Sequence, residues 1–381
     1  MPEITRDLPA NTVRIGITGI KGLLGWHLRC YLKLFPNVTV HGADRSTFQD
    51  MTALALFVDS CDAIVHFAGM NRGEEDLIEK INVFLMESLL NACERNGRRP
   101  HIVFASSTHV DRDTAYARSK RMAGEMLMKW SAKTSGKATI LVLPNVYGEA
   151  GKPFYNSVVS TFAYQIAKGD VPKIDVDREM ELLHAQNVAA LVYAAVIEGK
   201  SREIRPSGSL LTVTGLLDRL RTFSDEYRND RLSNFSDPLD LNLFNTLRYY
   251  MFPACYPKRL NLRSDSRGEL YEAVKSVGGG QTFLSTTRPG VTRGNHFHYK
   301  KIERFLVVRG HAVIKIRKLF SEHVESFEVT GEQPVYIDMP TLHTHSITNI
   351  GDSDLITLFW SNSIFDQANP DTVREPVLQQ G

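Results

Sequence analysis

The hydrophobic pattern of this chain changes period partway along, and that change restricts the fold to two joined architectures. Through the first half, short apolar runs alternate with stretches whose apolar residues recur every three to four positions. That is the pattern of βαβ units, and it predicts a doubly wound α/β body with a parallel sheet. From Leu260 onward the runs are short, alternate apolar with polar, and are separated by Gly, Asp and Asn turns. This predicts an all-β body. The expected boundaries are residues 1–229 for the α/β domain with a substrate subregion, 230–258 for a partly helical connector, and 259–381 for the β domain.

Within the first domain the pattern predicts strands at 13–18, 38–43, 63–67, 101–105 and 139–143. Helices are expected over 23–35, 76–95, 119–135, 182–198 and 212–229. A length of 381 residues suits two or three domains. Lys plus Arg number 45 against 43 for Asp plus Glu, so no bulk field draws the chain to nucleic acid or to a membrane surface. No apolar stretch is long enough to span a bilayer, which argues against membrane insertion. Residues 1–11 are polar, do not resemble a signal peptide, and read as a disordered tail. Cys30, Cys61, Cys93 and Cys255 are scattered in apolar surroundings with no C-x-x-C, as expected for reduced thiols in the cytoplasm.

Gly19-Ile-Lys-Gly22-Leu-Leu-Gly25 directly follows the first strand and opens the first helix. Glycines there allow a tight turn and let backbone N–H groups approach a pyrophosphate at the helix N-terminus. Lys21 and Leu23 lie in the same turn. Asp44-Arg45 ends the second strand. An acid at that place holds a ribose 2′-hydroxyl and favours NADH, whereas an arginine accommodates the NADPH 2′-phosphate. Both are present, with Arg45 tilting the expectation toward NADPH. The small residues Ala68-Gly69 end the third strand, where a dinucleotide passes close over the strand tip. Tyr116 and Lys120 are four apart on a helix and so share a face. An ammonium beside a phenol lowers its pKa and readies it to exchange a proton with a carbonyl or alcohol. Ser107, nine residues earlier at a strand end, can hydrogen-bond the same oxygen.

On Gly19/Gly22/Gly25, Ala68-Gly69, Ser107, Tyr116/Lys120 and Pro144-Asn-Val-Tyr-Gly148, residues 13 to about 200 resemble the extended short-chain dehydrogenase/reductase family, which has a Rossmann-like fold. The resemblance implies Tyr116 as general acid for ketone reduction. Lys120 would bind the nicotinamide ribose and tune Tyr116, and Ser107 would position the substrate carbonyl. Asn82 would order a water that supports the site, and Asn145 falls in the matching Asn-Val-Tyr-Gly stretch. Members of that family mostly act on nucleotide sugars.

The β half carries His296 and His298, two residues apart on an extended strand and so on one face. Glu303 follows past a turn, and His345 lies well downstream. Three histidines and a carboxylate make a credible site for zinc or another divalent metal. His343 is a competing ligand for His345. The spacing from Gly290 through His296, His298 and Glu303 to Gly310, with His345 and Asn349 in a second motif, resembles the cupins, a double-stranded β-helix or jelly-roll fold. Leu342 stands where their second motif usually has glycine. Asp265-Ser-Arg267-Gly268 resembles the first strand of cupin sugar-nucleotide 3- and 3,5-epimerases, where an arginine holds the nucleotide diphosphate.

Stretches 64–72, 155–158, 300–308 and 365–371 extend the resemblance to the family of bifunctional capsule and O-antigen enzymes of the CapF/WbjC type. That resemblance implies C3 epimerisation of a UDP-linked 2-acetamido-2,6-dideoxy-4-ketohexose by the cupin domain. Reduction of the C4 ketone with NADPH by the first domain would follow, on the route to UDP-N-acetyl-L-fucosamine. Asn71, Arg72, Asn156 and Arg267 are the expected substrate contacts, and a homodimer is the expected assembly. Tyr299, Lys301 and His311 are candidates for the epimerase base by type alone. Strand alternation turns Tyr299 away from the histidine face. The metal's role, catalytic or structural, is open.

Overall fold

The computed structural model describes residues 12–378; the polar segment 1–11 lies outside the described residues. The described chain forms two compact units, the first from residues 12–158 and 178–212, the second from 159–177 and 213–378.

In the first unit the sequence runs β1 (Val13–Thr18), α1 (Leu23–Leu32), β2 (Val38–Ala43), α2 (Arg45–Gln49), α3 (Met51–Asp59), β3 (Ala63–His66), α4 (Glu75–Arg95), β4 (His101–Ser107), α5 (Ala115–Thr134), β5 (Ala138–Leu143) and β6 (Asn145–Tyr147). After α6 (Val158–Lys168) come β7 (Glu179–His184), α7 (Ala185–Glu198), β8 (Arg202–Ile204) and β9 (Ser209–Thr212). Six strands form a parallel sheet in the order β2-β1-β3-β4-β5-β8. The order reverses beside β1, so the crevice above the strand tips lies at the β1/β3 end, where an open α/β sheet binds its ligand. A core of Phe57, Met86, Leu89, Phe104, Leu127 and Trp130 packs α3, α4 and α5 against the sheet, and α1 packs with α7. This is the doubly wound body expected from the pattern.

The sequence expectation lacked α3, α6, β8 and β9, and it differs from the structure at further segments. Residues 182–184 complete β7, which pairs with β6 and β9 in a small sheet, and the helix starts only at Ala185. His184 is its N-cap, accepting from the Gln186 N–H through Nδ1. Apolar residues shared by both elements hid that break. α2 is short, closed by a capping box between Asp44 and Thr47. α5 begins at Ala115, capped by the Thr114 hydroxyl, four residues before the expected start.

The second unit continues with α8 (Val213–Arg228), β10 (Arg231–Leu232), α9 (Pro238–Met251), β11 (Lys258–Arg259), β12 (Arg263–Asp265), β13 (Gly268–Leu270), β14 (Lys275–Ser276), β15 (Gln281–Thr287), β16 (Thr292–Phe297) and β17 (Glu303–Arg309). It ends with β18 (His311–Lys318), β19 (Val324–Thr330), β20 (Val335–Met339), β21 (His343–Asn349), β22 (Leu355–Ser361) and β23 (Val373–Arg374). Two five-stranded sheets, β11-β20-β17-β22-β15 and β19-β18-β21-β16-β23, share a core that includes Phe305, Ile314, Ile337, Ile347 and Phe359. Every pairing within them is antiparallel, which is the all-β body the alternation predicted and fits the jelly roll that the cupin resemblance implied.

A buried polar network fastens α8 to this sheet. Arg304 makes a two-pronged pair with Asp338 at 2.7 and 2.9 Å and lies 3.5 Å over the Tyr336 ring. The Tyr227 hydroxyl donates to Asp338 at 2.6 Å, and Tyr256 bonds Tyr227. Burial alone would push the Asp338 carboxyl up, but Arg304 outweighs it and holds the group below its ordinary value. Among the described residues no helix is long and apolar enough to cross a membrane. All four cysteines are free thiols, three of them buried.

Candidate functional site

The glycine turn of the first unit is built for close approach. Gly19 has φ +69°, and a Cβ there would meet the Ala68 amide nitrogen at 2.9 Å. At Gly25 a Cβ would collide with the Gly19 carbonyl. Gly22 is the N-cap of α1 and Leu23 its first residue, so the turn presents a helix N-terminus to the crevice. The Ala68 N–H donates to the Thr18 hydroxyl at 3.1 Å, which ties the β1 and β3 tips together. Lys21 stands 3.7 Å from Asp44, and both are exposed. The Asp44 carboxylate caps α2 through Ser46, and those hydrogen bonds hold it below its ordinary pKa. Arg45 is exposed at the start of α2. The strand-end acid is thus partly committed to its own helix, with a lysine and an arginine beside it.

Asn82 projects from α4 under the next turn. Its amide oxygen accepts from the Met70 N–H at 2.6 Å; its nitrogen donates to the Met70 carbonyl at 2.8 Å and the Ser119 hydroxyl at 2.9 Å. It clamps the turn that contains Gly69 to α5. Asn145, at the start of β6, donates to the Glu181 carbonyl at 3.1 Å.

Ser107 ends β4, and Tyr116 and Lys120 occupy the first turns of α5. The Lys120 Nζ is buried, donates to the Ala105 carbonyl at 2.8 Å, and lies 4.7 Å from the Phe104 ring centroid and 5.7 Å from that of Tyr116. Burial lowers its pKa to about 8. The phenol does not follow the sequence expectation. Burial, reinforced by the nearby Tyr155, raises Tyr116 to about 12. A phenol that stays protonated is suited to giving a proton.

Arg72 and Asn156, 84 residues apart, meet: the guanidinium donates to the Asn156 side-chain oxygen at 3.0 Å and to the Phe154 carbonyl at 2.9 Å. Asn71 is exposed beside them in sequence. Arg267 sits at the exposed tip of the β12–β13 hairpin and pairs with Asp265 at 2.6 Å.

In the second unit His296, His298, Glu303 and His345 offer ligand atoms that all lie within 4.8 Å of one another. His296 and His345 face each other across β16 and β21, Glu303 opens β17 in the opposite sheet, and His298 follows β16. The cluster therefore spans both sheets. A bulge at Gly294–His296, with Asn295 at φ +54°, aims the strand end inward. The His298 Nδ1–H donates to the Asp371 carbonyl at 2.7 Å, leaving Nε2 3.0 Å from Glu303. The His345 Nδ1–H donates to the His343 carbonyl at 3.3 Å, and its buried Nε2, 3.4 Å from Glu303, has no hydrogen-bond partner. Burial and the neighbouring imidazoles lower His296 to about 3. Burial opposes a charge on His298 and on Glu303, but their mutual attraction wins, raising the first and depressing the second. Donors around a divalent ion sit roughly 3 to 4 Å apart, so the set fits such an ion with small adjustments. Tautomers fixed by carbonyls, with both Nε2 atoms turned to the carboxylate, are what ligation requires.

Asp371 is a supporting residue that motif reading missed. Its carboxylate accepts from the N–H groups of Tyr299, Lys300 and Lys301, so it holds the turn between His298 and Glu303 as well as the His298 ring. Its place in the 365–371 stretch was the available signal. His343 is outside the cluster; its Nδ1–H donates to the Thr341 carbonyl. Asn349 is buried and spends its amide on the Thr287 and Ser353 carbonyls and the Gly351 N–H, a turn-holding residue and not a ligand. Leu342 keeps the expected turn despite lacking glycine: its φ is +59° and its side chain is fully buried. Of the base candidates, Tyr299 is buried, the Lys301 ammonium is near the Pro370 carbonyl at 3.4 Å, and His311 pairs with Glu328 on the surface.

Residues 15–204 match the NAD dependent epimerase/dehydratase family, and residues 263–373 match the Polysaccharide biosynthesis C-terminal domain. A UDP-2-acetamido-2,6-beta-L-arabino-hexul-4-ose reductase of Pseudomonas aeruginosa is 30% identical over 369 residues, covering 94% of this chain and 98% of the relative. The crystal structure of the capsular polysaccharide assembling protein CapF of Staphylococcus aureus superposes with a TM-score of 0.63 at 29% identity, over 95% of this chain and 99% of that one. A UDP-N-acetylglucosamine 4-epimerase of Methanobrevibacter ruminantium, 17% identical with a TM-score of 0.54 over 63% of this chain and 99% of its own, shares the fold alone. The likeness to the Pseudomonas and Staphylococcus proteins runs through both halves in the same order, and this chain belongs to their family, the CapF type, in which an epimerase/dehydratase-family half precedes a Polysaccharide biosynthesis C-terminal domain.

Proposed function

We propose that this chain is a bifunctional nucleotide-sugar enzyme acting on a UDP-linked 2-acetamido-2,6-dideoxy-4-ketohexose. Residues 1–229 reduce the C4 ketone with NADPH, and residues 259–381, reached through 230–258, invert C3. The product is of the UDP-N-acetyl-6-deoxy-L-talosamine type, on the route to UDP-N-acetyl-L-fucosamine for capsule or O-antigen. The observation that carries the reading is the half-buried Tyr116 beside the buried Lys120, in the same unit as the glycine turn, with the phenol held protonated. Its support is the Pseudomonas relative, whose name specifies reduction of a UDP-linked 4-ketosugar.

Reduction needs a hydride on one side of the ketone and a proton for its oxygen. In this assignment Gly19, Lys21, Gly22, Leu23, Gly25, Ala68 and Gly69 cradle the dinucleotide, with Asp44 and Arg45 at its adenosine ribose and Asn145 near its other end. Tyr116 gives the proton, Ser107 orients the carbonyl, and Lys120 binds the nicotinamide ribose. Asn82 keeps the Gly69 turn in place. Asn71, Arg72, Asn156 and Arg267 are assigned to the sugar nucleotide. The C3 proton is acidic because it is α to the ketone, so epimerisation precedes reduction, and reduction removes the acidity and locks the new centre. His296, His298, Glu303 and His345 hold zinc or another divalent ion, which when bound supplies Lewis-acid polarisation of an oxygen or ties the two sheets together.

A second reading, reduction alone with the β body as a metal-stabilised homodimerisation module, is favoured by the placement of Lys301 and His311, whose side chains are engaged with the Pro370 carbonyl and with Glu328. Both readings put the chain to work on a small molecule in the cytoplasm as a homodimer. Incubation with the 4-ketosugar in D2O, with and without NADPH, separates them by NMR and nicotinamide absorbance. Deuterium at C3 without NADPH, plus NADPH oxidation, is expected. Oxidation with no deuterium at C3 leaves a plain ketoreductase, and neither signal rejects both.

A further inference from the structure

The loop before α6 is shaped by Arg72 and brings Tyr155 and Lys152, to which the motifs gave no role, to one place. Phe154 has φ +55°, a left-handed backbone that costs a bulky residue about 1–2 kcal/mol and persists only where neighbours enforce it. The enforcing neighbour is Arg72, from the loop after β3, bonded to the Phe154 carbonyl and the Asn156 side chain. Between those two anchor points sits Tyr155. The Arg72 guanidinium carbon is 5.8 Å from its ring centroid, and the Lys152 ammonium is 5.2 Å from it. Tyr155 is also close enough to Tyr116 that its charge adds to the rise in the Tyr116 pKa. Two cations are thus held at the ring of a phenol that itself acts on the proton donor, on a strained, arginine-tethered loop.

The chemistry of this group is that of an anion clamp. Arginine and lysine bind phosphate oxygens by charge-assisted hydrogen bonds, and the guanidinium has more donors than its two loop bonds use. C1 and C4 are opposite corners of a pyranose, so a C4 ketone held at Tyr116 sends the C1-linked diphosphate across the ring, away from the phenol.

We propose that Tyr155, with Arg72 and Lys152 flanking it, grips the diphosphate of the substrate and so positions the ketone at Tyr116. The proposal rests on the nucleotide-sugar reading above and adds a binding residue to it. Tyr155→Phe keeps the ring and removes the hydroxyl; Lys152→Gln removes an exposed charge. Each is expected to raise the UDP inhibition constant and the ketosugar KM about tenfold, roughly 1.4 kcal/mol. The KM for NADPH should stay at its wild-type value and kcat within about threefold, because the clamp acts on binding. Reading inhibition through NADPH oxidation confines the measurement to the reductase site. Calorimetric titration of UDP into the NADPH-loaded full chain checks the affinity directly. Wild-type inhibition constants in both variants would overturn the clamp while leaving the nucleotide-sugar reading intact, as would a fall in kcat with UDP binding unchanged. If UDP neither binds nor inhibits the wild-type protein, the nucleotide-sugar reading fails, and the clamp with it.

Discussion

Lys120 and Tyr116 sit one helical turn apart, and burial moves both in ways their spacing alone does not convey. The lysine, lowered to about 8, loses its charge from that pH upward, so NADPH-dependent reduction should decline as pH rises through about 8. A pH–rate profile checks this, with the limb displaced upward in Lys120→Arg. The stability consequence has a definite sign. Between pH 8 and the ordinary lysine value the unfolded chain binds more protons than the folded one, so stability rises with pH there. The gap by which Lys120→Met exceeds the wild-type protein in urea resistance should therefore be full below pH 8 and narrow toward pH 10. Tyr116→Phe should lower reduction by about 10²–10⁴-fold and leave C3 deuterium exchange untouched, measured on one preparation. The motifs made Tyr116, Lys120, Ser107 and the four metal-site residues legible from spacing. They could not show the phenol's raised pKa, because desolvation depends on which neighbours cover a side chain.

Single residues set the shape of whole turns in the β body. Leu342 adopts a left-handed backbone at a cost of about 1–2 kcal/mol, yet its side chain is fully buried, and truncating such a leucine costs about 2–5 kcal/mol. Packing wins, so Leu342→Gly should destabilise the protein although glycine suits the backbone; chemical denaturation decides it. Asp371→Ala frees the turn that carries His298 and should weaken metal affinity about 10–100-fold, read by competition with a chelator. His296→Ala combined with His345→Ala should abolish stoichiometric metal, and retention of a full equivalent would refute the ligand set. At this scale periodicity located β1 and β2 to the residue but merged β7 with α7, since both bury apolar residues and only the His184 cap separates them. α2 was hidden by its length, although Asp44 and Thr47 are a capping pair that three-residue spacing could have disclosed.

At the scale of the molecule, one large core is built from helices on a parallel sheet and another lies between antiparallel sheets. Calorimetry should resolve two transitions, NADPH raising one and chelation lowering the other. A ligand at a hundred times its Kd adds about 2.7 kcal/mol to the unit that binds it; a single transition moved by both treatments would contradict this. The change in hydrophobic period revealed both architectures. It could not reveal that residues 159–177 belong with the second core, because a short amphipathic helix reads the same whichever body it joins. That detour gives the polypeptide a timetable. A ribosome adding about 5–20 residues per second delivers residues 159–177 long before the last strands of the core they belong to, so α6 must wait on the order of ten seconds or more for its partners. The first body meanwhile closes around the gap with residues 178–212. A single cut after residue 212 leaves the first body whole but keeps 159–177 with it, so two genes split there would make a second body that lacks one of its segments.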